Sequence, residues 1–337
     1  MLFVTGGAGF IGANFVLSTI AESGEALVNL DKLTYAGNRL SLQALDGDPR
    51  HVFVQGDICD RDTLRELFAR HKPRAVVHFA AESHVDRSIA GPAQFVQTNV
   101  VGTFCLLEEA RMYFETLHRE DQKTFRFLQV STDEVYGSLE PDEAAFSEHT
   151  PYAPNSPYAA SKASADHLAR AYHHTYGLPV FTTNCSNNYG PHQFPEKLIP
   201  LTIRNALAGE RLPVYGDGQN VRDWLYVVDH CKALRVVLER GKPGEAYNIG
   251  GGSEMANIDL VRLICGILDQ IRPRAKGSYA ELIEFVKDRP GHDRRYAVDF
   301  AKVRIALGWQ PEESFDSGLR KTVEWYVANQ DWMRRTG

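Results

Sequence analysis

The stretch "VTGGAGFIG", Val4 to Gly12, constrains this chain more than any other. It follows the apolar run "LFVT" and opens an amphipathic segment, so Gly7-x-Gly9-x-x-Gly12 stands where a strand hands over to a helix. Gly6 offers a second reading, Gly6-x-x-Gly9-x-x-Gly12. Glycine at such a junction permits a tight turn and lets the backbone approach a pyrophosphate, while the helix N-terminus adds N–H donors and positive potential. The next strand-like run ends in "NLD", which puts Asp31 about 20 residues further on, where a carboxylate holds an adenosine ribose. Such a carboxylate would repel a 2′-phosphate, so the expected cofactor is NAD and not NADP. Asp31 also reads as a strand-end turn residue, and Asp57 in "QGDI" reads as an adenine contact or as a simple turn or cap.

Through the first half, short apolar runs ("EALVNLD", "HVFVQGD", "AVVHFAA", "FRFLQVS") alternate with longer amphipathic ones ("TLRELFARH", "NVVGTFCLLEEARMYF"). Continuous rather than alternating hydrophobic strands in β-α-β-α order describe a parallel sheet covered on both faces, an α/β fold of the Rossmann, doubly wound type. The second half is richer in proline and loops, and Ile258, Val261, Ile264, Leu268 and Ile271 recur there at helical spacing. We expect residues 1–180 to form the NAD-binding domain, with some later segments returning to it, and residues 181–337 a smaller substrate-binding domain. A chain of 337 residues with 43% hydrophobic and 24% charged residues has the material for such a core.

The net charge of −6 gives no broad basic surface, so neither nucleic acid nor a membrane surface is an expected partner, and an anionic ligand must be met by local cations. Cys59, Cys105, Cys185, Cys231 and Cys265 are odd in number and never form C-x-x-C, which argues against a disulfide framework and a structural zinc site. The histidines, His173 and His174 included, have no metal-ligand spacing, so no metal is expected. The N-terminus shows no signal-peptide pattern and no apolar run reaches membrane-spanning length; the expected compartment is the cytoplasm.

In "NSPYAASKASADHLARAY", Ser156 suits an N-cap and Pro157 the first helical position, which places Tyr158 and Lys162 one turn apart on one face. A cation beside a phenol lowers its pKa from about 10 towards the working range, and a tyrosinate can take a proton from an alcohol as hydride leaves for NAD. "STDEVYG" then raises a question, because Asp133 and Glu134 stand side by side where a buried strand should end. In isolation they read as a solvated turn.

Together these residues resemble the extended short-chain dehydrogenase/reductase family, and within it the NAD-dependent nucleotide-sugar dehydratases. "DKLTYAGN", "AAESHVDRSI", "STDEVYG", "SPYAASKA", "TNCSNNYGP", "FPEKLIPL", "LPVYGDGQNVRDWLYV" and "RPGHDRRYAVD" carry the likeness, in order, across nearly the whole chain. The resemblance implies a lyase that dehydrates dTDP-glucose to the 4-keto-6-deoxy sugar on the way to deoxysugars such as rhamnose. It implies Tyr158 as the C4 base, Glu134 as the C5 base, Asp133 as the acid for the leaving C6 hydroxyl and Thr132 as the C4-oxygen contact, with Lys162 beside Tyr158. Besides Gly6, Gly9 and Gly12, it implies cofactor contacts from Phe10, Ile11, Asp31, Lys32, Leu33, Thr34, Asp57, Ile58, Ala80, Ala81, Ser83, Thr98, Tyr158, Lys162 and Asn188. His84 and Asn187 would face the sugar, unless they are loop residues bonding backbone.

A diphosphate needs cations, and Lys197, Arg222 and Arg289 are the candidates. Leu198, Pro213, Val214 and Tyr215 would frame the base, with Asn257 and His292 completing the site; Tyr296 is a further candidate, and Asn257 reads equally as an N-cap. The family likeness also implies a homodimer joined through a four-helix bundle. The alternatives are another nucleotide-sugar dehydratase, a 4-epimerase, which needs no elimination acid, or a non-catalytic NAD-binding regulatory protein.

Overall fold

The computed structural model describes residues 1–288 and 291–336. Its strands are β1 (Leu2–Thr5), β2 (Leu27–Asp31), β3 (His51–Gln55), β4 (Ala75–His78), β5 (Arg126–Thr132), β6 (Val180–Cys185), β7 (Asn187–Tyr189), β8 (Leu212–Tyr215), β9 (Val221–Tyr226), β10 (Ala246–Ile249), β11 (Glu254–Ala256) and β12 (Ile283–Val286). Seven of them form one sheet in the order β10-β6-β5-β4-β1-β2-β3, and every pairing in it is parallel. The strand order reverses direction between β1 and β4, the place in such sheets where the carboxyl ends open into a crevice.

Alternation along the strands divides the core. Leu2 and Val4 pack with Phe15, Leu128 and Leu234 on one face of the sheet. Phe3, Val28 and Leu30 pack with Phe68, Leu106 and Phe127 on the other. Both faces are covered, so the strands are apolar throughout, as a doubly wound sheet requires.

The remaining strands make two small sheets, β11-β9-β7 and β12-β8. They gather around the helix Asn257–Ile271, whose Ile258, Val261, Ile264 and Leu268 are buried against Leu319, Val323 and Tyr326 of the helix Phe315–Ala328, with Ile271 half-buried at the margin. Later segments return to the large sheet, as the expected division near residue 180 allowed. That position is the first residue of β6, an interior strand of the large sheet, and β10 returns to form the sheet's edge after β7, β8 and β9 have been laid down outside it. The apolar run of β6 carries no mark of which sheet receives it, so tertiary pairing decides. Among the described residues no helix is long and apolar enough to cross a membrane, and all five cysteines are free.

Candidate active site

The turn after β1 is dictated by close approach. Gly6 has φ +72°, and a Cβ there would lie 2.5 Å from the amide nitrogen of Ala80. At Gly12 a Cβ would lie 2.3 Å from the Gly6 carbonyl, and at Gly7 2.3 Å from Asn29 Oδ1. A side chain at Gly6 or Gly12 would displace backbone and one at Gly7 the Asn29 amide, so the turn keeps bare peptide facing the cleft at the start of the helix Phe10–Ser18. That cradle fits a pyrophosphate.

The cleft wall brings together most of the residues expected to contact the cofactor: Gly6, Gly9, Phe10, Ile11 and Gly12 from the turn, then Asp31, Lys32 and Thr34, Asp57 and Ile58, Ala80, Ala81 and Ser83, Thr98, Tyr158 and Lys162. Leu33 and Asn188 are not on it. The Leu33 amide donates to Asp31 Oδ1 at 2.8 Å. Asn188 is held by the Ser186 carbonyl, 3.0 Å from its Nδ2, and by His230 Nδ1, 2.9 Å from its Oδ1. Glu82, Ser131, Gln193, Phe194 and Glu196 also line the cleft and were not foreseen. Glu82, Ser131, Phe194 and Glu196 lie within the segments that carried the resemblance, whereas Gln193 lies just before one of them, in the loop after β7.

Asp31 serves the turn as well as the cleft, since its carboxylate accepts the amides of Ala8 and Leu33 at 2.8 Å each. Each oxygen keeps a further acceptor site for a ribose hydroxyl. Burial pushes this carboxyl up, opposed by the two amides. Asp57 pairs with Lys32 at 2.6 Å and accepts the Cys59 amide at 2.9 Å, so it is a turn residue as well as a cleft residue. Burial pulls its carboxyl up, but the Lys32 ammonium and the Cys59 amide more than offset this and hold it below the ordinary range.

The chemistry-bearing residues meet at the carboxyl end of β5. Thr132 Oγ1 accepts the Glu134 amide at 3.3 Å and so caps the short 3₁₀ turn Asp133–Tyr136. The turn ends at Gly137, whose φ of +95° and closeness to the Ala153 carbonyl exclude a side chain. Asp133 is not a solvated turn residue. It is 2% exposed, its Oδ2 has no hydrogen-bond partner, and only Thr132 Oγ1 reaches Oδ1, at 3.3 Å. Burial first, then the neighbouring Glu134 and Asp223 carboxylates, push the Asp133 carboxyl well above its usual range. That environment favours the protonated acid, while Glu134 beside it is only half-buried.

The helix Pro157–Tyr176 begins as the sequence predicts, with Ser156 Oγ accepting the Ala159 amide at 3.1 Å and Pro157 first in the helix. It delivers Tyr158 and Lys162, both buried, to the cleft. The phenol differs from expectation. Burial, followed by the Glu134 charge, pushes Tyr158 well above its ordinary value, and only the Thr132 hydroxyl bonded to it pulls appreciably the other way. Lys162 is itself lowered by burial and directs its ammonium to the Val130 carbonyl at 2.8 Å. Desolvation outweighs the cation at this phenol.

The residues expected to meet the sugar nucleotide lie in two groups. Near the carboxylates, the Arg222 guanidinium donates to the carbonyls of Val221 (2.7 Å) and Asp293 (2.9 Å) and lies 4.4 Å over the Tyr296 ring. Its charge reaches Asp133, and that of Glu134 reaches Tyr296, whose hydroxyl bonds Asp293. His84 Nε2 lies 3.6 Å from Glu196, and Lys197, on the cleft wall, donates to the Ser83 carbonyl at 3.1 Å.

Asn187 opens β7 with Oδ1 buried and unpartnered. Asn257 is the first helical residue and not the cap, which is Ala256; the Asn257 side chain caps nothing, and its Oδ1 is also buried without a partner. Around β8, which carries Pro213, Val214 and Tyr215, the Tyr215 ring meets His292 edge-on at 6.3 Å, and His292 Nδ1 lies 2.6 Å from Asp288. Leu198 is half-buried at the edge of the second core. Arg289 lies outside the described residues.

A parallel sheet with a glycine-lined cleft at its switch point, and a Tyr–Lys pair on one helix facing Thr, Asp and Glu at a strand end, defines a dinucleotide-fold enzyme equipped for proton transfer on a polyol. The chain belongs to the family described as GDP-mannose 4,6 dehydratase, whose model matches residues 3–322. It is 60% identical over 332 residues to a dTDP-glucose 4,6-dehydratase of Xanthomonas campestris pv. campestris (strain B100), covering 98% of this chain and 94% of that one. Its fold matches the dTDP-glucose 4,6-dehydratase DesIV of Streptomyces venezuelae, solved with NAD bound, at a TM-score of 0.91, 48% identity and coverage of 100% and 99%. It also resembles a UDP-glucose 4-epimerase of Thermotoga maritima at a TM-score of 0.85, 29% identity and coverage of 98% and 99%.

The buried Asp133 carboxyl makes stability depend on pH. Its value is raised on folding, so as pH climbs above the unfolded value of about 4 the unfolded chain releases a proton that the folded chain keeps, and stability falls until the folded value is passed. Asp133→Asn keeps the shape and removes that penalty. It should melt about 2 °C or more above the parent near pH 7.5, with a smaller gain near pH 4. Equal melting-temperature gains at both pH values would contradict the assignment.

Proposed function

We propose that this protein removes water from dTDP-glucose to give dTDP-4-keto-6-deoxyglucose, with NAD held in the cleft throughout. The observation that carries the reading is the buried Asp133, with one unpartnered oxygen, beside the half-buried Glu134 at the end of β5. Elimination needs an acid on one carbon and a base on the next, and two adjacent carboxyls serve both needs only when their environments separate them. The relatives of that name, similar over nearly the whole chain, support dTDP-glucose as the sugar nucleotide.

NAD, which the glycine turn and Asp31 would hold, would supply a reversible hydride acceptor to the sugar. The chain's own residues handle protons and position. Tyr158 must be a phenolate to receive the C4 hydroxyl proton, a state that the Lys162 ammonium favours against burial, and Thr132 bonds the C4 oxygen and keeps the sugar in line. Glu134 removes the C5 proton, which the C4 ketone has made acidic, and Asp133 protonates the C6 hydroxyl as it leaves. Arg222 and Lys197 meet the diphosphate. The unpartnered amide oxygens of Asn187 and Asn257 are acceptors for sugar or nucleotide hydroxyls and N–H groups. The half of the chain outside the large sheet holds the nucleotide. The product feeds deoxysugar synthesis in the cytoplasm.

The steps separate by mutation. In single turnovers of the NAD-loaded protein followed by NADH absorbance, Tyr158→Phe should slow the rise at least about 100-fold. Asp133→Asn should leave the rise largely intact and slow water loss by about 100-fold, so that NADH accumulates; Glu134→Gln should do the same. Equal loss of both steps in Asp133→Asn would contradict its role as the acid.

We further propose a homodimer. Val101, Phe104 and Met112 on and before the helix Thr103–Thr116, and Tyr176 at the end of Pro157–Tyr176, are exposed large apolar residues suited to a bundle between copies. Light scattering should give twice the chain mass, and Phe104→Glu should give the monomer; a parent of single-chain mass would remove the proposal.

A further inference from the structure

Asp166 takes no part in the steps above, yet it is 4% exposed and surrounded by donors. It follows Tyr158 and Lys162 at successive turns of the helix Pro157–Tyr176, so the three share a face. Its Oδ2 accepts from Ser131 Oγ at 2.6 Å, Tyr152 Oη at 3.2 Å and Asn184 Nδ2 at 3.4 Å, and its Oδ1 accepts from Gln129 Nε2 at 3.3 Å. The same Asn184 nitrogen donates to the Thr132 carbonyl at 3.3 Å, which fixes the orientation of that amide. The amide N–H groups of Gln129 and Asn184 can only donate, and the short Ser131 contact suits an O–H bonded to an anion. Burial pushes the Asp166 carboxyl up, and Lys162 with the Ser131, Gln129 and Tyr152 bonds acts against it in favour of the carboxylate.

Lys162 needs such a neighbour. Burial disfavours its charge, and Asp166 acts against that. The other titratable groups facing Lys162 offer no anion: His78 of β4 is kept neutral, pushed down to about 3 by burial, and burial pushes the Cys185 thiol of β6 far up. Those facing Asp166 besides Lys162 are Tyr152 and Tyr136, both phenols raised by burial.

We propose that Asp166 is a positioning residue for the Tyr158–Lys162 pair: its carboxylate keeps Lys162 an ammonium and ties the helix face that carries both residues to the end of β5. The inference rests on the reading of Tyr158 as the base. A phenolate at Tyr158 is then balanced by a charge that Asp166 maintains one step further off. Direct repulsion between Asp166 and a phenolate acts in the opposite sense, so removing the carboxylate can raise the ionisation of Tyr158 only through Lys162.

The test is the near-ultraviolet tyrosinate titration of the NAD-loaded protein, with the signal missing in Tyr158→Phe assigned to Tyr158. Asp166→Asn should move that ionisation up by about one pH unit or more. Added to Lys162→Arg, whose charge cannot be lost, Asp166→Asn should move it by less than about a third of that. An unmoved ionisation in folded, NAD-loaded Asp166→Asn overturns the proposal. So do equal shifts with and without Lys162→Arg, because Asp166 would then act through the fold alone. If Asp166→Asn does not fold, Asp166→Ser, which leaves room for a water among the same donors, carries the same comparison. A parent protein with no Tyr158 ionisation in the accessible range removes the base assignment itself, and this inference with it.

Discussion

Desolvation at the carboxyl end of β5 is the constraint on which the rest of the site depends. An aspartate placed there with one unpartnered oxygen resists ionisation, and Glu134 and Asp223 make ionisation harder still. Two neighbouring carboxyls that would be equivalent in water thereby sit in different environments, which is what separate acid and base roles require. The same burial acts on Tyr158 and Lys162 in opposite chemical senses, raising the phenol and lowering the ammonium. Every proton the site handles is therefore set by how tightly the strand end is covered.

The large sheet supplies that cover and also opens it at one place. The strand order reverses between β1 and β4, so the loops after these strands diverge and leave the glycine turn, Ala80 and Ala81 facing a cleft. β5 stands next to β4 and presents Thr132, Asp133 and Glu134 at the same end. β9 and the segment around Asp293 reach back over the carboxylates through Arg222 and Tyr296. Cofactor and sugar sites thus share one rim, although their residues are scattered over most of the chain.

Much of this was legible in the sequence, for local reasons. The glycine turn, the strand-end Asp31 and the Ser156–Pro157 helix start each carry a local signal, and each stands at the strand or helix end where the sequence put it. What depended on distant packing was not legible. The return of β10 to the sheet edge follows from pairing with β6, which no local pattern announces. Lys162 beside Tyr158 suggested a lowered phenol, but the balance turned on how completely the fold excludes water from that pair. Asn257 was one residue from its alternative role, because the chain enters the helix at Ala256. Asp166, in the middle of an amphipathic helix, carried no signal apart from its spacing from Lys162; its importance emerges only where Ser131, Gln129, Tyr152 and Asn184 converge on it.

The measurement that bears most directly on the central claim is mass spectrometry and NMR of the sugar nucleotide after incubation with dTDP-glucose deuterated at C4, with UDP-glucose run in parallel. The account predicts a product of the dTDP sugar lighter by one water, with the deuterium on the C6 methyl group and no net NADH. An unchanged mass, or a dehydrated product whose C4 deuterium has been lost to solvent, would contradict it.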